Sequence, residues 1–314
     1  MLARVADSLY WIGRYIERAE HLARLSDVML IATVDQTASA AQAIHIALAA
    51  VGEPDSGLHG RSALQAAHSL VFDREDHGSV VTSLARAREN ARQVRDQITV
   101  ETWERVNLLY LRVTAPDAER SFTQQPSAFL HEVVADLHLF RGAADATMSH
   151  GEGWRFLLLG VYLERAQLIS RLLDVCFGDA ARGQPLADHF ALVNVLRMGC
   201  ALEPYLRVYT ADVQPGYVLE FMLLDEEFPR SLRYAVARIE EHLKAVSRYA
   251  EIEGKSPDRL AGRLNARLEF ADFGEVTQAG ASAFLAKVVE ECASIHEALY
   301  DTFVAYPLEH RLPA

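Results

Sequence analysis

Two segments of this chain, residues 13–28 and 160–175, are variants of one helix and carry a Glu-Arg pair at the same position. They read GRYIERAEHLARLSDV and GVYLERAQLISRLLDV, with nine identities over sixteen positions at a constant offset of 147 residues. Chance seldom produces such a match without a gap, so we interpret it as an internal duplication of one helix. The two segments share charged residues as well as apolar ones, although packing in a hydrophobic core would require only the apolar residues to be shared.

The charged residues of these segments suggest acid-base or anion-binding chemistry. Glu17 and Glu164 could act as a general acid or base and are the candidate catalytic residues. Arg14, Arg18 and Arg165 could hold a carboxylate or a phosphate through paired hydrogen bonds, which makes them candidate ligand-binding residues. The second segment has a valine where the first has Arg14, so the two sets are not fully equivalent.

The surroundings of the two glutamates differ on the helical wheel. Apolar residues flank Glu164, so we expect this carboxylate to be buried and paired with an arginine of another helix, for which Arg14, Arg18 and Arg24 are candidates. Glu17 lies on a polar arc and is expected to face water. Three interpretations stay open: interhelical ties that fix register, an anion-binding site between the two segments, and plain surface charge.

A second group of charged residues lies further along the chain. Arg88, Arg92 and Arg95 follow i, i+4, i+7 spacing and should share one helix face, with Glu89 and Asn90 turned away from it. Such a stripe is either solvated helix charge or a surface for an anionic ligand or partner. All five residues are candidate partner-binding residues.

The segment LLDEEFPRS, residues 223–231, is predicted to form a corner between helices, in which Pro229 begins a helix that runs to about residue 252. Arg230 would then lie in the first helical turn, against the helix dipole, and this unfavourable placement suggests a further role. Arg230 is the last candidate ligand-binding residue.

The sequence does not indicate other kinds of active site. Glu17 and His21 could belong to a di-iron site, but the second segment has Leu168 where His21 stands, so the ligand set fails to repeat. His131 and His138 lack partners at ligand spacing. No glycine-rich phosphate loop follows a strand, and no nucleophile stands in a recognisable elbow. We therefore expect no metal and no cofactor.

Composition restricts the partners and the compartment. The formal net charge of −12 and the pI near 5.5 argue against nucleic acid as a generic partner. The longest apolar run, residues 156–163, is too short to span a membrane, and charges interrupt the N-terminus before a signal-type run develops. Three widely spaced cysteines suit a reducing compartment, so we expect a cytoplasmic protein.

Helical periodicity dominates the chain, and strand signals are nearly absent. We expect an all-α fold: one compact domain over residues 1–314, with about ten helices, in which helix 5–34 repeats as helix 152–177. The two repeat helices should pack near each other around a pseudo-two-fold axis. Other expected features are helices over 80–98 and 187–209, a loop over 115–126, and a capping box of Ser149 and Glu152.

These motifs together resemble the bacterial alpha-E family, which is named for an all-helical domain with a Glu-Arg motif. The similarity runs from residue 1 to about 305 and includes LYWIGRYIERAEHLARL, ARENAR, EGWRF and LLDEEFPRS. The resemblance carries the family's motif positions onto Arg14, Glu17, Arg18, Arg88, Glu89, Asn90, Arg92, Glu164, Arg165 and Arg230.

Members of that family accompany, and are sometimes fused to, circularly permuted ATP-grasp ligases, often beside transglutaminase-like and proteasome-related peptidases. The resemblance therefore implies a system that makes or modifies a peptide. One hypothesis makes the chain an accessory or substrate-presenting partner of the ligase, which binds the ligase or a peptide or carboxylate substrate through its arginines. The alternative makes it an enzyme that acts on the ligase product, with a glutamate as acid or base and arginines as carboxylate clamps.

Overall fold

The computed structural model of the chain describes residues 1–34, 39–52, 61–75, 78–178, 186, 188–248 and 256–305. Within these residues the protein is all-helical, with fifteen helices and no strand. The all-α fold agrees with the expectation from sequence, whereas the helices outnumber the ten or so that periodicity indicated. Over the same residues, none of the helices combines the length and the apolar character needed to cross a membrane.

The helices are named here in chain order. The first seven are α1 (Ala3–Val34), α2 (Ser39–Ala50), α3 (Ala63–Phe72), α4 (Val80–Gln93), α5 (Val100–Val113), α6 (Ala118–Gln124) and α7 (Pro126–Thr147). The other eight are α8 (Glu152–Phe177), α9 (His189–Met198), α10 (Leu202–Tyr209), α11 (Pro215–Leu224), α12 (Leu232–Ser247), α13 (Pro257–Glu269), α14 (Phe273–Ala279) and α15 (Ala281–Phe303).

The helices that carry the two similar segments, α1 and α8, pack against each other, and their contact is the most extensive among the described helices. α1 is also covered by α3, α4 and α7, and α8 is covered by α12 and α15. As a result, no residue of α1 between Val5 and Thr33 is fully exposed. The hydrophobic core therefore surrounds the segments that carry the Glu-Arg pairs.

Each central helix belongs to a set of four helices with the same packing pattern. In the first set α1 contacts α4 and α7, and α5 lies against both of them. In the second set α8 contacts α12 and α15, and α13 lies against both of them. The contact between α1 and α8 joins the two sets.

Several helix boundaries differ from those expected. The short helix α6 occupies the expected loop, and α4 ends at Gln93 because Val94 leaves helical backbone angles. The expected helix over 187–209 is divided into α9 and α10 by a Schellman motif, in which Cys200 has a positive φ of 57° and the Ala201 amide donates to the Leu196 carbonyl. The divided helix places an additional corner beside α11.

The expected start of α8 is confirmed at residue 152, but its expected capping box is wrong. Gly151 is the N-cap, and no side chain caps the helix. Glu152 instead lies 3.0 Å from the N-terminal amine of Met1. The helix expected from Pro229 is also displaced: α12 begins at Leu232, and the expected end near residue 252 lies outside the described residues.

Candidate functional site

α1 and α8 approach each other most closely at two glycines. Gly13 lies against the backbone of Leu157 and Val161, and Gly160 lies against the backbone of Tyr10 and Arg14. A Cβ atom on either glycine would overlap a carbonyl oxygen of the facing helix. The contact is symmetric, because Leu157 and Val161 of α8 correspond, at the offset of 147 residues, to Tyr10 and Arg14 of α1. The two Glu-Arg pairs therefore face each other one turn further along.

The two Glu-Arg pairs exchange partners across this contact. Arg165 donates from Nε and Nη2 to the two carboxylate oxygens of Glu17, at 2.9 and 2.8 Å. Glu164 accepts from Nε of Arg18 at 2.6 Å and from Nε of Arg14 at 2.5 Å. Glu17 is therefore held by one arginine of the other helix, and Glu164 by two, as expected for Glu164.

Both glutamates are buried, with exposed fractions of 0% for Glu17 and 2% for Glu164. The burial of Glu164 confirms the expectation from its apolar flanks. The expectation that Glu17 faces water is wrong, because α1 is covered on the side away from α8 by α3, α4 and α7. His21 is buried for the same reason.

The remaining hydrogen-bonding groups of Arg14 are also satisfied inside the protein. Its Nη1 donates to the hydroxyl of Tyr10 at 3.0 Å, and its Nη2 donates to Oε1 of Gln167 at 2.7 Å. The Tyr10 hydroxyl in turn lies 2.9 Å from Nδ1 of His296 on α15. Arg14 thus ties α1 to α8 and, through Tyr10, to α15.

A third buried carboxylate, that of Glu20, extends the network. Arg230 donates to both Glu17 and Glu20, at 3.2 Å from Oε1 of Glu17. Arg141 on α7 forms ion pairs with the same two glutamates. Arg24 donates from Nε to Glu20 at 2.8 Å. Glu20 and Arg141 were not among the residues predicted from sequence: Gln167 stands in the position of Glu20 in the second segment, and Arg141 lies outside both segments.

Arg230 reaches the centre from a different position than expected. It precedes α12 rather than lying in its first turn, because Ser231 is the N-cap and accepts from the Tyr234 amide. Asp225 closes the preceding turn by accepting from the amides of Glu227 and Phe228, at 3.0 and 2.7 Å. Arg230 therefore lies just outside the helix, at its positive end, and its guanidinium group is compensated by Glu17 and Glu20.

We call these nine residues the Glu-Arg cluster. It comprises Arg14, Glu17, Arg18, Glu20, Arg24, Arg141, Glu164, Arg165 and Arg230. Its ion pairs join six arginines to three glutamates, so the cluster carries more positive than negative charge.

The carboxylates of the cluster are held ionised. Burial alone would raise the pKa of Glu17, but the positive charges of Arg141, Arg165 and Arg230 outweigh it and lower the pKa to about 2. Burial likewise opposes the arginines around Glu164, and the net result is a pKa below its usual range. At neutral pH these groups have no proton to donate.

The stripe of arginines on α4 differs from the expected arrangement. Arg92 forms a bidentate ion pair with Glu89, so Glu89 is not turned away from the stripe. Arg88 donates to Asn107 at 2.7 Å and packs over the Tyr110 ring. Arg95 lies in the turn after α4 and packs over Trp103, and Asn90 is half-buried.

The histidines weighed as metal ligands do not converge. His131 pairs with Asp27 and His138 with Glu20, on separate parts of α1. Across the described ranges, no group of three or more His, Cys, Asp or Glu side chains could hold a metal ion.

The fold and the cluster together define a class: an all-helical domain whose two central helices are tied by Glu-Arg motifs. The chain belongs to the Alpha-E family, described as a predicted alpha-helical domain with a conserved ER motif, and the family model matches residues 1–304.

Its relatives include proteins of two mycobacteria, all described only as uncharacterized. The chain is 28% identical to one of Mycobacterium bovis (strain ATCC BAA-935 / AF2122/97) and to one of Mycobacterium tuberculosis (strain CDC 1551 / Oshkosh), over 95% of its own length. It spans 36% of the length of each of these relatives. No solved structure matches the chain.

Proposed function

We propose that this chain is a noncatalytic binding module, which acts as an accessory or substrate-presenting partner of an ATP-grasp peptide ligase. The observation that carries the noncatalytic part is the state of the cluster's carboxylates. Glu17, Glu20 and Glu164 are buried, and each is enclosed by at least two arginines. Such groups fix the register of helices, and their burial leaves almost no surface at which a substrate could contact them.

The alternative, an enzyme that acts on the ligase product, requires a glutamate within reach of its substrate. A general acid also needs a pKa near the working pH, whereas the pKa of Glu17 lies at about 2. The interhelical-tie interpretation of the Glu-Arg pairs is therefore preferred over a catalytic one.

The length of the relatives supports a role beside another component. The chain corresponds to 36% of each mycobacterial relative, so in those proteins a segment like this one shares a polypeptide with other segments. A domain that is fused in some proteins is well suited to contact the same kind of neighbour when it is separate. Its resemblance to the alpha-E family makes a circularly permuted ATP-grasp ligase the proposed neighbour.

We also infer that the chain arose by duplication of a half that comprised a central helix and several shorter ones. α3 and α11 each span 10 residues, and α6 and α14 each span 7. The corners after α3 and α11 contain Asp73 and Asp225, each of which accepts from the amide two residues later, and they end in the N-caps Ser79 and Ser231. These matches support a pseudo-two-fold relation that extends beyond the two repeat segments.

The proposed compartment is the cytoplasm. Cys176, Cys200 and Cys292 are free thiols, which is usual where the environment is reducing.

Co-purification with the cognate ligase tests the proposed role. The tagged chain is co-expressed with the ligase and isolated with and without ATP, and the chain alone is assayed for ATP hydrolysis and for turnover of the ligase product. We expect a complex and no turnover by the chain alone. Turnover that is lost in a folded Glu17→Gln variant would instead establish the enzyme.

A further inference from the structure

A cavity of about 340 Å³ lies beside the Glu-Arg cluster, between α7, α8 and α12. Its volume is in the range of small-molecule sites, which begins at about 300 Å³. Arg141 and Arg165 belong both to the cluster and to the cavity wall. The cavity is therefore the place where a bound molecule would adjoin the positive charge of the cluster.

Two guanidinium groups of the wall have unused donors. Arg141 directs its Nη atoms to Glu17 and Glu20, and its buried Nε has no hydrogen-bond partner. Arg238 pairs through Nη1 with Glu241 at 2.6 Å, and its Nε is likewise buried without a partner. An unpaired buried N–H group is costly, so a side-chain shift that lets a ligand oxygen accept from either enclosed Nε would be favourable, most of all for an anion.

The other charged groups of the cavity wall do not cancel the excess of positive charge in the Glu-Arg cluster. Glu241 is paired with Arg238, and the carboxylate of Asp145 is largely exposed and lies 3.6 Å from His150. His242 is neutral near pH 7, because burial and then Arg155 and Arg238 lower its pKa to about 4. The arginines of the wall and the rest of the Glu-Arg cluster thus leave the cavity next to a positive field.

Aromatic and aliphatic side chains form the rest of the wall. Tyr162 packs against Tyr234 and His242, with ring centroids 6.3 and 5.9 Å apart. Arg165 and Arg238 lie over the rings of Tyr162 and Tyr234, at 5.1 and 5.4 Å. Stacked in this way, the guanidinium groups are held in fixed positions beside an apolar surface.

We infer that this cavity binds a small organic anion that carries a carboxylate next to an aromatic or aliphatic group, such as the C-terminal residue of a peptide. The wall residues that define it are Arg141, Arg165, Arg238, Trp154, Tyr162 and Tyr234. The inference rests on the proposed binding role but not on the identity of the ligase. It assigns a substrate class to the module: peptides with a free C-terminal carboxylate.

Binding of small probes tests the site in the absence of any ligase. N-acetylphenylalanine carries both features, its amide lacks the charge, and inorganic phosphate lacks the apolar group. Trp154 lines the cavity, so its fluorescence should change when a probe binds. Calorimetry measures the same binding independently. We expect N-acetylphenylalanine to bind with a dissociation constant of about 1 mM or lower, and the amide and phosphate to bind at least about tenfold more weakly.

Arg238→Gln is the informative variant, because Arg238 is partly exposed and lies outside the Glu-Arg cluster. Arg233→Gln is the matched control: Arg233 lies on the same helix and pairs with Glu226, but it does not line the cavity. Arg238→Gln should weaken binding of N-acetylphenylalanine at least about fivefold, and Arg233→Gln should leave it unchanged. Thermal unfolding verifies that both variants are folded.

Three results would overturn the inference: equal binding of the acid and its amide, binding of phosphate as tight as that of the acid, or equal affinities of the two variants. An absence of binding by every probe would overturn it as well. The ligase co-purification is measured separately on the same proteins. A chain that joins the ligase but binds no probe contradicts the site alone, and a chain that binds the probe but never joins the ligase contradicts the partnership alone.

Discussion

Glu17 of α1 accepts two parallel hydrogen bonds from Arg165 of α8, and Glu164 of α8 accepts a hydrogen bond from Arg18 of α1. Each Glu-Arg dipeptide thus supplies the acid for one interhelical tie and the base for the other. A shift of one helix by a turn, about 5.4 Å, would break both ties at once. The motif therefore sets the register of the two longest central helices.

Removing a carboxylate from the cluster should be strongly destabilising. Glu164→Ala leaves Arg14 and Arg18 without their buried partner, and we expect a loss of about 3–5 kcal/mol in the free energy of unfolding. Urea denaturation measures the change. Glu89→Ala removes an exposed carboxylate from a pair within α4 and is the control, which should unfold like the parent chain. If the two variants were equally stable, the structural role of Glu164 would be refuted.

The two glycines at the α1–α8 contact should respond alike to substitution. Gly13→Ala and Gly160→Ala each place a methyl group into the facing backbone, so each should cost about 1–3 kcal/mol or more. Gly142→Ala is the control, since nothing lies within 4 Å of its added Cβ and alanine favours a helix. Thermal unfolding distinguishes these outcomes, and a tolerated Gly160→Ala alone would contradict the reciprocal contact.

The sequence could predict those site residues that lie in the two similar segments. The apolar flanks of Glu164 indicated burial, and the repeat indicated arginines of the first segment as partners, both of which the structure confirms. Glu17 was expected to face water but is buried, because a helical wheel shows one side of a helix as polar but not which other helices cover that side.

The contributions of Arg141 and Arg230 could not be derived, because they depend on tertiary packing. Arg141 comes from α7, where no motif distinguishes it from other surface arginines. Arg230 comes from a turn whose end is set by the Ser231 cap rather than by Pro229. The Asp-x-Glu and Ser positions shared by residues 73–79 and 225–231 were a readable signal that such a corner recurs.

Acid should destabilise the protein in two successive ranges. Burial and then Arg230 lower the pKa of His21 from 6.5 to about 4, so between these values the unfolded chain binds more protons than the folded one and stability falls as pH falls. Below the ordinary glutamate pKa of 4.5, stability falls further toward the folded value of about 2 for Glu17.

His21→Asn tests the contribution of His21 to the upper range, to which the lowered pKa of His242 also contributes. Denaturant midpoints measured between pH 7 and 4 should show a pH slope reduced by about one proton relative to the parent chain. His45→Asn changes an exposed histidine of α2 and should keep the parent slope. An unchanged slope in His21→Asn would show that His21 does not contribute to the loss of stability in this range.

The exposed end of the arginine stripe should matter for ligase association. Reversing Arg92 and Arg95 to glutamate should weaken co-purification, more so at low salt, because screening weakens such contacts. Arg88 is unsuitable for this test, since it packs over Tyr110 between α4 and α5. Lys244→Glu reverses an equally exposed cation and is the control. Full association of the double variant would show that the stripe is ordinary surface charge.

A pair of double-mutant cycles tests the reciprocal tie between α1 and α8 most directly. Glu17→Gln and Arg165→Gln, combined and measured by urea denaturation, should show a coupling of about 1–3 kcal/mol. The neighbours Glu17 and Arg18 within α1 should show a coupling below about 0.5 kcal/mol in the matched cycle. Coupling within the dipeptide and none between Glu17 and Arg165 would contradict the exchange of partners between the two helices.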